Sequence, residues 1–176
     1  MKRYLLSIVL LSGILLFTGN LQRATAQIDI GGGLAYGSEI ENLGIRADGV
    51  YTINEQFRAG ANITFFLPKE MFPGVDWTWW EINANGHYLF PMDADVNVYG
   101  LAGLNFVNFK AEGQTVTGPF GNTFSSSYSD SAIGLNIGGG AEYPLDFANL
   151  YGELKYTLSD YDQLAINVGL RFAIGS

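Results

Sequence analysis

From residue 28 onward the chain alternates apolar residues with polar or small ones, position by position, in segments divided by turn-forming clusters. A period of two is the signature of β-strands with two chemically distinct faces. The spacing predicts eight strands, at 28–37, 43–53, 57–67, 77–90, 96–108, 131–143, 149–158 and 164–174. The last is the clearest. Leu164, Ile166, Val168, Leu170, Phe172 and Ile174 share one face, and Ala165, Asn167, Gly169, Arg171 and Ala173 the other. The third sets Phe57, Ala59, Ala61, Ile63, Phe65 and Leu67 against Arg58, Gly60, Asn62, Thr64 and Phe66. Each segment reaches the ~9–11 residues that a tilted strand needs to cross a bilayer.

The connections alternate in length. Those at 54–56, 91–95 and 144–149 are short, and two of the intervening ones, 68–76 and 109–130, are long. Pro68, Pro73, Pro91, Pro119 and Pro144 all fall between the predicted strands, as befits a residue that cannot donate to a ladder. Short periplasmic turns alternating with longer extracellular loops is the pattern of outer-membrane barrels, and an even strand count puts both termini in the periplasm.

The N-terminus changes the picture from any barrel to an exported one. Lys2 and Arg3 precede an apolar run from Tyr4 to Phe17, and Ala24-Thr25-Ala26 forms a small-residue cleavage site. This predicts a signal peptide over 1–26, cut between Ala26 and Gln27, and a single domain over 27–176. Loss of Lys2, Arg3 and Arg23 leaves six basic against 17 acidic residues, a net charge of −11. No basic patch can be assembled, so nucleic acid is excluded as a main partner. With no cysteine, disulfides, thiolate metal sites and cysteine nucleophiles are excluded as well.

Alternation alone also permits a soluble barrel with its apolar face inward. Charged residues are 15 % of the chain, where soluble domains average about 25 %. The polar faces are built from Gly, Ala, Asn and Ser, too weakly charged for a wet surface. Aromatics gather near strand ends. Tyr36, Phe65, Trp77, Trp79, Trp80, Phe106 and Tyr156 are expected at the outer rim, and Tyr51, Phe57, Phe90, Tyr143 and Phe172 at the inner one. Such girdles anchor membrane barrels at both interfaces. The expected fold is therefore all-β, an eight-stranded antiparallel up-and-down transmembrane β-barrel.

The strand number, the Gly-rich segment Tyr99-Gly100-Leu101-Ala102-Gly103-Leu104-Asn105-Phe106 and the final alternating strand resemble the small outer-membrane β-barrel proteins of Gram-negative bacteria. That class contains the OmpA transmembrane domain, OmpX and OmpW, and the likeness runs from Gln27 to Ile174. It departs at the C-terminus, where the usual terminal aromatic is replaced by Phe172 followed by four further residues. The resemblance implies outer-membrane lipid, lipopolysaccharide and the barrel assembly machinery as partners.

Parity directs Asp29, Arg46, Asp48, Arg58, Glu81, His87, Glu142, Glu153, Lys155 and Arg171 into the lumen. An eight-stranded interior is just wide enough for side chains to fill, and buried charges must pair. A plug of ion pairs is preferred over a gated polar pathway. In-sheet neighbours predict an Arg46–Glu81 pair over Thr64, and place Asp29 beside Arg171 where the first and last strands close the barrel. Some barrels of this size are lipid hydrolases or acyltransferases with a base near the outer rim. The single histidine, His87, falls at the opposite end, so no catalytic residue, metal ligand or cofactor is expected. Two roles remain: a structural or surface-interaction barrel, or a narrow porin-like channel or carrier for small apolar molecules.

The segment 109–130 is the candidate for an extracellular partner. Gly118-Pro119-Phe120-Gly121-Asn122 is a turn signal between strand-favouring residues. Pairing Gly118 with Thr123 predicts a protruding hairpin whose register sets Phe106 opposite Leu135 and Leu104 opposite Ile137. The arm Ser125 to Ser127 is expected to be its more mobile half.

Overall fold

A computed structural model describes residues 27–72, 75–113, 116–117, 123–124 and 127–174. The segment 1–26 expected to be a signal peptide, the turn centre 118–122, and Ser125 and Ser126 lie outside the described residues. Among the described residues ten strands form: β1 (Ile28–Gly37), β2 (Asn42–Thr52), β3 (Phe57–Phe72), β4 (Val75–Phe90), β5 (Asn97–Gly113), β6 (Val116–Thr117), β7 (Thr123–Phe124), β8 (Ser127–Pro144), β9 (Asn149–Leu158) and β10 (Gln163–Ile174). Eight close into one antiparallel barrel in the order β1-β10-β9-β8-β5-β4-β3-β2, so each of the eight has a neighbour on both sides in the barrel wall. Ile28 pairs with Ile174 and Gly37 with Ala165 to seal it.

The short turns follow from local chemistry. At 53–57 the Asn54 side chain accepts the amides of Gln56 and Phe57, and the Ile53 amide reaches the Phe57 carbonyl at 2.9 Å. At the other end, β3, β4, β5 and β8 run well beyond the length a bilayer requires. The β3–β4 ladder shifts register between Phe66 and Lys69 and again between Glu70 and Phe72. Pro68 lies within β3 at the first shift and not between strands as the pattern predicts. A ladder tolerates a missing donor at such an irregularity.

The distribution of chemistry is inverted relative to a soluble protein. Ile45, Ile133, Ile137, Leu154 and Val168 are at least half exposed, whereas Arg46, Glu81, Glu153, Lys155 and Arg171 are at most 3 % exposed. Burying that many charges while exposing branched aliphatics is stable only where the outside is apolar. The barrel is a transmembrane one, with lipid on the aliphatic face.

Candidate functional site: the plugged lumen

Odd residues of β1, β4, β5, β9 and β10 and even residues of β2, β3 and β8 point inward. All ten charged or ionisable residues that parity assigns to the lumen are buried there. Their pairing is not the one expected from in-sheet neighbours. Thr64 does sit between Arg46 and Glu81 in the ladder. Yet the Arg46 guanidinium crosses to Glu153 at 2.7 Å, and Glu81 accepts Lys155 at 3.1 Å. Likewise Arg171 does not meet Asp29. It binds Asp48 at 2.6 Å and also Glu142, which holds Arg58 at 2.6 Å. Asp29 instead accepts the side-chain amide of Gln27 at 3.0 Å.

Two glycines explain much of this. Gly31 is paired with both Asp48 and Arg171, on its two neighbouring strands. A Cβ there would lie 2.6 Å from the Asp48 carboxylate and 2.8 Å from Arg171, so its absence lets the two side chains meet over β1. Gly140 does the same for Tyr99, whose hydroxyl would be 2.5 Å from a Cβ and which donates to Glu153 at 3.1 Å. Arg58 and Arg171 lie over the Tyr99 ring, and Arg171 is 4.0 Å from the centre of Tyr151. The arginines are thus neutralised by carboxylates and flanked by aromatic faces.

Asparagines complete the plug, and motif-based reasoning overlooked them. Asn83 Oδ1 accepts from Asn105, Asn136 and Lys155, each at 2.8 Å, and its own amide donates to Asn62 at 2.9 Å. Asn136 also donates to Asn85 and accepts from Thr157. Their signal was inward parity on four different strands, a coincidence visible only once the strands are wrapped. Gln163 and the Trp79 indole both donate to Glu81 Oε1, at 2.6 and 3.3 Å.

Trp79 marks a correction. Trp77 and Trp79 are not part of an outer girdle. They share the inward parity of Glu81 and Asn83, and Trp79 is 3 % exposed. With Phe66, Val107, Phe109, Ile40, Ala35 and Ala132 they cap the charged layer at the long-loop end. Both tryptophans lie close to Phe109, with Trp77 nearest at 4.6 Å between ring centres. Trp80, of opposite parity, lies on the outer face against Phe106. Tyr36, Phe90, Tyr143 and Phe172 are exposed to the lipid side.

The interior is a packed core. His87 is stacked on Tyr99 at 4.8 Å, near the end that carries the termini. Among the described residues no three His, Cys, Asp or Glu converge as metal ligands. A hollow of about 720 Å³ is a dip in the wall where Ala59, Ala84, Gly86 and Ala102 carry little bulk beside Phe57, Tyr88 and Ile137. Beyond the apolar belt, Tyr161 donates to Asp130 at 2.7 Å. That bond holds the Asp130 carboxyl below its ordinary range and pushes the Tyr161 hydroxyl up to about 12.

The closed ladder, the apolar exterior and the ion-paired interior define an outer-membrane type of eight-stranded barrel. The model of the outer membrane protein beta-barrel domain matches residues 9–172, and the chain belongs to that family. Solved relatives are distant in sequence but share the fold. The N-terminal β-barrel domain of Pseudomonas aeruginosa OprF is 12 % identical at a TM-score of 0.63, over 84 % of this chain and 97 % of that one. OprG of the same organism is 12 % identical at 0.60, over 86 % and 97 %. Ail, the attachment invasion locus protein of Yersinia pestis, is 17 % identical at 0.55, over 85 % and 97 %. No curated protein matches the chain in sequence.

Proposed function

We propose that the chain is an integral outer-membrane barrel with a structural or surface-interaction role. In this reading its termini are periplasmic and its long hairpins reach into or past the lipopolysaccharide layer. The observation that carries it is the lumen: ion pairs and asparagines fill its middle, and an aromatic cluster caps it at the long-loop end. A carrier for small apolar molecules would find an apolar entrance at that cap, but the path ends on Glu81, Lys155 and Asn83. The N-terminal signal directs export and is removed between Ala26 and Gln27, and Phe172, exposed near the end of β10, serves as the aromatic signal for the assembly machinery.

The β5–β8 hairpin is the surface best suited to a partner. It projects as two long strands, up to the Glu112–Ser127 pair, and because β9 pairs with β8 only as far as Leu135, the outer edge of β8 over 127–134 offers backbone for strand addition. Planar-bilayer recording of the refolded protein tests the main reading. No steady single-channel steps are expected, and reproducible unit conductance would overturn it. Protease treatment of whole cells tests the orientation: cleavage within 109–130, with the C-terminus protected, is the expected result.

A further inference from the structure

The aromatic cap leaves a cavity of about 250 Å³ lined by Glu39, Ile40, Trp77, Trp79, Phe109 and Tyr161. It is smaller than the ~300–1,000 Å³ of drug-sized sites, so it suits a head group and not a whole lipid. Four of the six lining residues are aromatic, and their planes differ. Trp77 meets Phe109 at 65°, and Trp79 meets Tyr161 at 80° with 5.6 Å between centres. Rings set at such angles present π faces from several directions, which is how aromatic cages hold cations.

Three further observations give the occupant a sign. Two of the rings donate to carboxylates: the Trp79 indole to Glu81 at 3.3 Å and the Tyr161 hydroxyl to Asp130 at 2.7 Å. Donation to an anion raises electron density on the ring and strengthens its attraction for positive charge. The rim is acidic. The connections 38–41, 67–77, 109–130 and 159–162 carry eight Asp or Glu and two Lys. Both lysines are already paired, Lys69 with Glu41 at 3.4 Å and Lys110 with Glu112 at 2.6 Å. Last, the arginine-on-ring contacts of the described residues lie on Tyr99 and Tyr151, deep in the lumen. Among the described residues no arginine stacks on the cage rings, and the nearby Lys69 ammonium is tied to the wall, donating to the Ile40 carbonyl at 3.3 Å.

We propose that this cavity binds a small quaternary ammonium compound of the choline type, its trimethylammonium head against Trp77, Trp79, Phe109 and Tyr161, with Glu39 at the entrance. A methylated ammonium fits better than a primary amine because it has no N–H groups to satisfy and is weakly hydrated. The proposal rests on the reading that this end faces the medium. Binding to the purified barrel is independent of orientation, so the whole-cell protease experiment and the one below fail separately.

The full-length barrel, refolded in a non-ionic detergent, is titrated with choline and with its neutral carbon isostere 3,3-dimethyl-1-butanol. Tryptophan fluorescence and calorimetry report binding. Saturable choline binding is expected, with the isostere weaker by about tenfold. Glu39→Gln, on an exposed turn, and Trp77→Leu are each expected to weaken choline about fivefold or more. Heat-modified gel migration checks that both variants fold, and Glu39→Gln decides alone should Trp77→Leu not fold. Equal affinity for choline and the isostere, unchanged binding in Glu39→Gln, or no saturable binding by the native barrel would each overturn the proposal.

Discussion

Arg171 is the side chain on which the lumen most depends, because it joins Asp48 and Glu142 from two strands on opposite sides of its own. Truncating one partner of a buried charge pair strands the others, at a cost of about 3–5 kcal/mol. Arg171→Ala is expected to lose that much stability in urea unfolding from lipid vesicles. Adding Asp48→Asn and Glu142→Gln should restore part of it, since the stranded charges are then gone. An unchanged midpoint in Arg171→Ala would show that the interior is wetter than its burial implies. Val168 and Asn167 test the faces. Val168 is half exposed to lipid, and Val168→Arg is expected to cost about 2–4 kcal/mol near the midplane. Asn167→Arg points into the lumen beside Glu153 in the ladder and should behave differently. Equal, mild effects at both would refute the assigned faces. The Asp130–Tyr161 bond provides a pH test. Asp130 titrates lower in the folded state, so its contribution is present above the ordinary carboxylate value of 3.8 and is lost as pH falls through the lowered one. Tyr161 titrates higher, so its contribution is present below 10.0 and is lost as pH rises through about 12. Amide exchange in 159–162 should therefore quicken at both extremes. Ultraviolet titration should count Tyr161 among the tyrosines that resist ionisation past pH 10, and Asp130→Asn should lower that count by one.

At the scale of elements, the β5–β8 hairpin differs from its expected register. Phe106 pairs with Ile133 and Leu104 with Leu135, two residues away from the register that the turn signal implied. The shift is an even number, so every side chain keeps its face. Beyond the barrel Thr117 pairs with Thr123 and Val116 with Phe124, where the signal placed Gly118 opposite Thr123. Turn chemistry locates a bend but does not fix which residues close it when Pro119, Gly121 and Asn122 all accept turn geometry. Slowed amide exchange at 116–117 and 123–124 in micelles is the expected signature of this outer ladder. Rapid exchange at all four positions would reduce it to a flexible loop. Trp77 and Trp79 teach a similar lesson. An aromatic near a strand end is a girdle residue only if its parity faces lipid, and the parity of Glu81 turns both inward.

For the whole molecule, the eight barrel strands, their boundaries within a residue or two except at the outer ends of β3, β5 and β8, which run four or five residues further, and the identity of the lumen-facing charges were legible in the chain. A period of two is a local property of the backbone, written into every segment, and a one-residue slip would move each apolar face into the lumen. Export, lack of cysteine and low charge narrowed the solvent to lipid on composition alone. The partners inside the barrel were not legible. Arg46 finds Glu153 and Lys155 finds Glu81 across the lumen, from strands three apart around the barrel. Closure with tilted, staggered strands decides which inward side chains share a level, and that stagger is a property of all eight strands together. The cage at the long-loop end arises the same way. Ile40, Trp79, Phe109 and Tyr161 come from four places in the chain, and each alone reads as a strand or turn residue. The sequence by itself determined the strands, their faces and the membrane around them. Only the closed barrel decided which charges neutralise one another and that four rings enclose a space, because both depend on distances across the lumen that no local pattern encodes.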